Sequence, residues 1–261
     1  MTRRRHLARA AALVLALGAG ACAPGTGDTA PTGADRAPRG AITVLAAASL
    51  TAAFETIGAD VERAYPGSTV RFGFGGSSAL ATQITAGVPA DVFASASSAT
   101  MATVLAAGAA PGSTPFARNV MQIAVPTANP ARVSGLADLG RPDVTVALCQ
   151  AEVPCGATAA AVLAKAGITV RPVTLEADVK AALAKVTLGE VDAAVVYVTD
   201  VQAAGAAVTG IGIPPDVNAA TSYSIAELGA SANPELARLF VAAVLSPAGR
   251  RVLEAQGFSP P

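Results

Sequence analysis

Histidine is almost missing from this chain: its 261 residues hold one, His6, and tryptophan is absent. His6 lies in a basic stretch, MTRRRHLAR, followed by AAALVLALGAGA. That apolar run is too short to span a membrane, and it has the layout of a cleaved export signal over residues 1–21. Once the signal is removed, no histidine remains. A Ser-His-Asp or Cys-His catalytic site and a histidine-bearing zinc site are then excluded. Charge is also scarce, at 14% of residues, with Lys+Arg 18 balancing Asp+Glu 18. Loss of Arg3, Arg4, Arg5 and Arg9 with the signal leaves 14 basic against 18 acidic residues. A mildly acidic surface argues against nucleic acid as a partner.

Cysteine is limited to Cys22, Cys149 and Cys155. The small residues AGA lead into Cys22, an arrangement that resembles a lipoprotein signal and implies lipidation at Cys22. TRRR loosely resembles a twin-arginine signal. Residues 22–40, rich in Gly, Pro, Thr and Ala, read as a flexible tether from that anchor to the fold. Cys149 and Cys155, in LCQAEVPCG, are most simply a disulfide closing a small loop in an exported protein.

What is abundant is apolar residue, 52% of the chain, ample for one large or two modest cores. Strand-like and helix-like segments alternate. Strands are expected at 42–48, 69–75, 90–96, 119–126, 144–149, 171–175 and 192–198. Helices are expected at 50–65, 78–86, 98–107, 157–166, 177–187, 234–245 and 247–256, several ended by glycine. This pattern predicts an α/β fold with mostly parallel sheets, helices on both faces and two lobes flanking a cleft.

Two junctions stand out. VLAAASLTAAFETI carries a strand into Ser49 and then a helix, and FGFGGSSALATQI carries a strand through Gly75 and Gly76 into Ser77, Ser78 and a helix. A helix N-terminus offers unpaired N–H groups and a positive partial charge, so each junction suits an anion. Serine also caps helices there with no ligand at all, and both readings stay open. Neither junction carries Lys or Arg, and no carboxylate is near in sequence to accept a proton from a ligand. A compact tetrahedral dianion that bears no hydrogen fits best. Asp91 and Asp200 are read as capping or cross-linking groups. Tyr197, on an apolar strand, reads as packing from its sequence surroundings alone.

The stretches ITVLAAASLTAAFETI, FGFGGSSALATQITAGVPADVFASA, ADVKAALAKVTLGEVDAAVVYVTD and SPAGRRVLEAQGF together resemble the periplasmic molybdate-binding proteins of molybdate ABC transporters, over residues 42–258. The resemblance implies a two-lobed type II periplasmic-binding fold. Its lobe 1 would be 41–118 plus 218–261 and its lobe 2 would be 119–217, with hinge strands near NVMQIAVP and NAATSYSIAEL. It further implies that Ser49 and Ser77 bind the oxyanion through hydroxyl and backbone N–H. Cys155 and Val179 would bind through backbone N–H and Tyr197 through its hydroxyl, the metal being reached only through its oxygens. Cys155 stands where alanine is commoner, and Val198 where glycine is frequent. The implied function is capture of molybdate, with tungstate, by a monomer anchored outside the cell membrane, without cofactor or catalysis. Delivery would be to an ABC permease and its ATPase. A binding protein for another oxyanion such as sulfate, a secreted enzyme on the same scaffold, and a sensor are the alternatives.

Overall fold

The computed structural model describes residues 38–261, so the signal, Cys22 and most of the tether lie outside the described residues. The first strand, β1 (Gly40–Ala47), opens the fold, and its Gly40 N–H donates to the Gly67 carbonyl at 2.9 Å. A single 3₁₀ turn, Ala48–Leu50, joins it to α1 (Thr51–Ala64). Then come β2 (Ser68–Gly75), α2 (Ser77–Thr85), β3 (Val92–Ser95) and α3 (Ser98–Ala106). A long strand, β4 (Thr114–Pro126), leads to β5 (Val146–Cys149), α4 (Pro154–Ala166), β6 (Thr174–Glu176), α5 (Val179–Thr187) and β7 (Ala193–Tyr197). The chain closes with α6 (Val198–Ala204), β8 (Val208–Gly212), β9 (Ala220–Glu227), α7 (Pro234–Leu245) and α8 (Pro247–Ala255).

The strand order is β2-β1-β3-β9-β4-β7-β5-β6, with β8 on β4. The expected parallel units occupy the two flanks: β1 is parallel to β2 and β3, and β5 is parallel to β6 and β7. Between them the sheet is antiparallel. Thr114–Val120 of β4 pairs with β9, while Gln122–Pro126 pairs with β8 and Met121–Ala124 with β7. One strand therefore serves both halves of a mixed, two-lobed α/β fold.

Each half buries its own side chains. α1 turns Ala53, Phe54, Ile57 and Val61 inward at helical spacing. Phe54 packs on Phe116 and Phe240 at centroid distances of 6.0 and 5.5 Å. Full burial of such a ring contributes about 1.5–3 kcal/mol. Gly58 lets α1 approach β2, because a Cβ there would stand 2.8 Å from the Phe72 ring. A second, smaller cluster gathers Leu45, Leu80, Phe93, Met101 and Val104 on the other face of the β1–β3 flank. The opposite half packs Ile123, Val125, Val146, Val162, Val186 and Val195. Asp91 ties the first half together: its carboxylate accepts from Thr43 N–H at 2.7 Å, and from the Ser231 hydroxyl and Ala232 N–H.

Candidate functional site

Ser49, Ser77, Cys155, Val179 and Tyr197, scattered over 149 positions of sequence, line one cavity together with Ala48, Gly76, Val153 and Asp178. The room available to the centre of a water-sized sphere is about 20 Å³. That is one or two water positions, so the cavity suits a single compact ion.

Each of the five sits at a helix start. Ser49 occupies the 3₁₀ turn before α1 rather than the helix itself, and Ser77 is the first residue of α2. Cys155 follows Pro154 in the first turn of α4, where proline costs nothing because that N–H lacks a helical partner anyway. Val179 opens α5 behind its N-cap Asp178, and Tyr197 ends β7 as α6 begins. The backbone N–H groups of Ser49, Ser77, Cys155 and Val179 make no hydrogen bond among the described residues. First-turn N–H groups are free by construction, and a buried one demands an acceptor.

The side chains are wired the same way. Ser77 Oγ, in a residue 1% exposed, accepts from Ala96 N–H at 3.0 Å, so its own proton remains to be given. Ser49 Oγ lies 2.8 Å from Tyr223 Oη. Tyr197 Oη is the one buried side-chain polar atom without a partner among the described residues. The hydroxyl of nearby Thr158 donates instead to the Pro154 carbonyl at 2.7 Å. Burial, followed by the neighbouring Tyr223, raises the Tyr197 phenol well above its usual range, and burial does the same to Tyr223. Both phenols keep their protons.

Among the described residues no Lys or Arg lines the cavity; the N-termini of α1, α2, α4 and α5 meet around it and supply positive partial charge. Two acids are near. Asp178, which lines the cavity and corrects the expectation that no carboxylate is close, spends Oδ1 on Ala181 N–H at 3.0 Å as the α5 cap. Asp200 sits behind Tyr197, whose N–H donates to Oδ2 at 3.0 Å. Burial pushes the Asp200 carboxyl up to about 7, while Tyr197 N–H and Lys180 pull it down and Asp178 pushes it up.

Contacts from both halves narrow the cavity. Gly76 lies so close to the Ala177 carbonyl that a Cβ would stand 2.4 Å from its oxygen. Ser78 Oγ donates to the Glu152 carbonyl at 2.5 Å. Glu152 and Val153 belong to the loop closed by the Cys149–Cys155 disulfide, whose Cα atoms are 5.8 Å apart. Sequence reasoning missed Tyr223 and Asn119, which meet behind Ser49; a phenol and an amide within the two crossing-strand segments were the available signal.

Two α/β halves joined by long strands, with helix N-termini and neutral donors converging on a small cavity, define a two-lobed solute-binding fold. The chain belongs to the bacterial extracellular solute-binding protein family, whose profile matches residues 42–259. It is 44% identical over 221 residues to the molybdate-binding protein ModA of Mycobacterium bovis, covering 84% of this chain and 85% of that one. The periplasmic molybdate-binding protein of Azotobacter vinelandii superposes with a TM-score of 0.76 at 19% identity, covering 84% of this chain and 99% of that one. The sulfate-binding protein SubI of Mycobacterium tuberculosis does so with a TM-score of 0.69 at 19% identity, covering 84% and 86%. The family is one of exported proteins, and among the described residues no helix is long and apolar enough to cross a membrane.

Proposed function

We propose that this protein captures molybdate, and tungstate with it, outside the cytoplasm and delivers it to an ABC permease and its ATPase. The observation that carries the reading is a cavity lined by neutral donors, with the one carboxylate at its edge, Asp178, serving as the α5 cap. Among the described residues, Tyr197 Oη is buried without a partner, Ser77 Oγ already accepts a hydrogen bond, and no Lys or Arg lines the cavity. Desolvating a dianion is costly, so each of its oxygens must meet donors. Three hydroxyls and four N–H groups are available for that purpose. The 44% identical relative named for molybdate supports the same ligand.

Sulfate is the second reading, favoured by the likeness of fold to a sulfate-binding protein. Its shorter bonds would leave these donors stretched, so molybdate is preferred. Catalysis is not part of the reading: the Ser77 oxygen faces an N–H and the Ser49 oxygen a phenol, rather than a general base. The protein acts as a monomer without cofactor, with lobes 41–118 plus 218–261 and 119–217 closing on the ion. Lipidation at Cys22 holds it to the outer face of the cell membrane.

A thermal-shift series on the chain from Gly40 onward, with molybdate, tungstate, sulfate and phosphate, tests this. A ligand at 100 times its Kd adds about 2.7 kcal/mol. For a fold of this size the corresponding rise is roughly 5–11 °C. Molybdate and tungstate are expected to give it. A rise with sulfate alone would reassign the ligand, and no rise with any of the four would refute an oxyanion site.

A further inference from the structure

We propose that Tyr223, backed by Asn119, is a positioning residue that locks Ser49 as a hydrogen-bond donor and so disfavours, at that contact, oxyanions that carry a proton. The inference rests on the oxyanion reading above and adds a specificity device to it.

The argument is one of hydrogen-bond polarity in a buried chain. Asn119 is 2% exposed, and its Oδ1 accepts from Val120 N–H at 3.0 Å. That contact fixes which end of the amide is which, so Nδ2 faces the other way. Nδ2 donates to Thr199 Oγ1 at 2.8 Å and, at 3.4 Å, to Tyr223 Oη. Tyr223 is fully buried, and its only other partner among the described residues is Ser49 Oγ at 2.8 Å. Since Asn119 presents protons to the phenol oxygen, the phenol proton must go to Ser49. The reverse arrangement would leave a buried O–H pointing at N–H protons, with no acceptor. Ser49 Oγ therefore accepts from Tyr223, and its own proton is left for the cavity.

Ser77 is held in the same sense by Ala96 N–H. With both serines denied the option of accepting from a ligand, a hydrogen-bearing anion such as hydrogenphosphate meets a donor wherever it presents its own proton to either of them, and the carboxylate at the cavity edge, Asp178, has Oδ1 engaged by Ala181 N–H. The chain Asn119–Tyr223–Ser49 starts on β4, the strand that serves both halves, and on β9 beside it, where Asn119 and Thr221 stand in register. The polarity of the ligand contact is thus set from the crossing strands, outside the cavity wall.

Asn119→Asp is the informative substitution, because it keeps the shape and reverses the relay. The carboxylate would accept from Val120 N–H, the Thr199 hydroxyl and the Tyr223 phenol, leaving Ser49 to donate to Tyr223 and to turn lone pairs toward the ligand. Titration calorimetry at neutral pH with molybdate, and competition with inorganic phosphate, read the outcome. Asn119→Asp is expected to weaken molybdate at least tenfold, and to lower the molybdate-to-phosphate preference by about tenfold or more. Tyr223→Phe, a milder change, should lower the same preference in the same direction by about threefold. In a Ser49→Ala background, Asn119→Asp should still weaken molybdate through its added charge but should alter the molybdate-to-phosphate preference by less than about twofold, since the relay then ends on nothing.

An unchanged preference ratio in both variants, or an Asn119→Asp effect on that ratio that persists in full without the Ser49 hydroxyl, overturns the proposal. If Asn119→Asp does not fold, the ratio in Tyr223→Phe decides alone. If the wild-type protein binds sulfate rather than molybdate, the molybdate reading fails. The same cycle run with sulfate then still decides the relay.

Discussion

Replacing Tyr197 by phenylalanine moves two measurable quantities in opposite directions. The Tyr197 phenol oxygen is buried, 1% exposed as a residue, and has no hydrogen-bond partner among the described residues. An unsatisfied buried hydroxyl costs about 1–3 kcal/mol. Removing it while keeping the ring, which packs edge-on against Tyr223 at 6.4 Å, recovers most of that cost. The unliganded Tm should therefore rise by roughly 2–4 °C for each kcal/mol recovered. The oxyanion, in contrast, loses a charge-assisted hydrogen bond of about 1.5–3 kcal/mol, or roughly 10- to 150-fold in Kd. Differential scanning calorimetry without ligand and isothermal titration with molybdate read the two numbers on one sample. Higher stability with weaker binding is the expected pair. A lower Tm with unchanged affinity would show that the hydroxyl supports packing and that the cavity does not use it.

Other perturbations follow from the same geometry. Gly76→Ala places a Cβ against the Ala177 carbonyl, so the two halves cannot meet there and molybdate affinity should fall more than about tenfold with little change in unliganded Tm. Burial raises the Asp200 carboxyl to about 7 in the fold from an ordinary 3.8, so the native state holds the proton more tightly than the unfolded chain. Stability should then decline as pH rises from about 4 to about 7, and stay flat above, by up to about 4 kcal/mol. Asp200→Asn, whose Oδ1 can still accept from Tyr197 N–H, should remove that decline in melts taken from pH 4 to pH 8. Reduction of Cys149–Cys155 opens a short loop and should cost about 2 kcal/mol of stability. It should also weaken molybdate binding, since Val153 and Cys155 line the cavity; equal affinity before and after reduction would separate the disulfide from the site.

Much of the architecture was legible locally. Strand and helix periods, glycine stops and the Ser-Pro start of α8 depend on neighbours a few residues apart, and the elements expected from them lie within a few residues of those observed. The elements that escaped are those whose cause is remote. α6 is seven residues long and directly continues a fully buried strand, so no polar start signal separates VVY from VTD. β8 alternates weakly and is a strand because β4 offers it an edge. The antiparallel middle of the sheet has no local signature either, since it arises from one 13-residue strand pairing with β9 along its first half and with β7 and β8 along its second.

The site divides in the same manner. By itself the sequence determined that no histidine chemistry is available to the folded domain and that two strands deliver serines to helix starts without a cation beside them in the chain. These are properties of composition and of contacts within one turn, which no packing can reverse. Tertiary structure alone decided that the five donor positions surround one small cavity, that Asp178 stands at its edge, and that Tyr197 is left without a partner. It alone decided the sense of the hydroxyls. Ser49 meets Tyr223 across 174 residues, and Asn119 meets Tyr223 across 104, so the direction of each proton depends on where the crossing strands bring remote side chains together. A hydroxyl is donor and acceptor in the sequence. Only its buried neighbours make it one or the other.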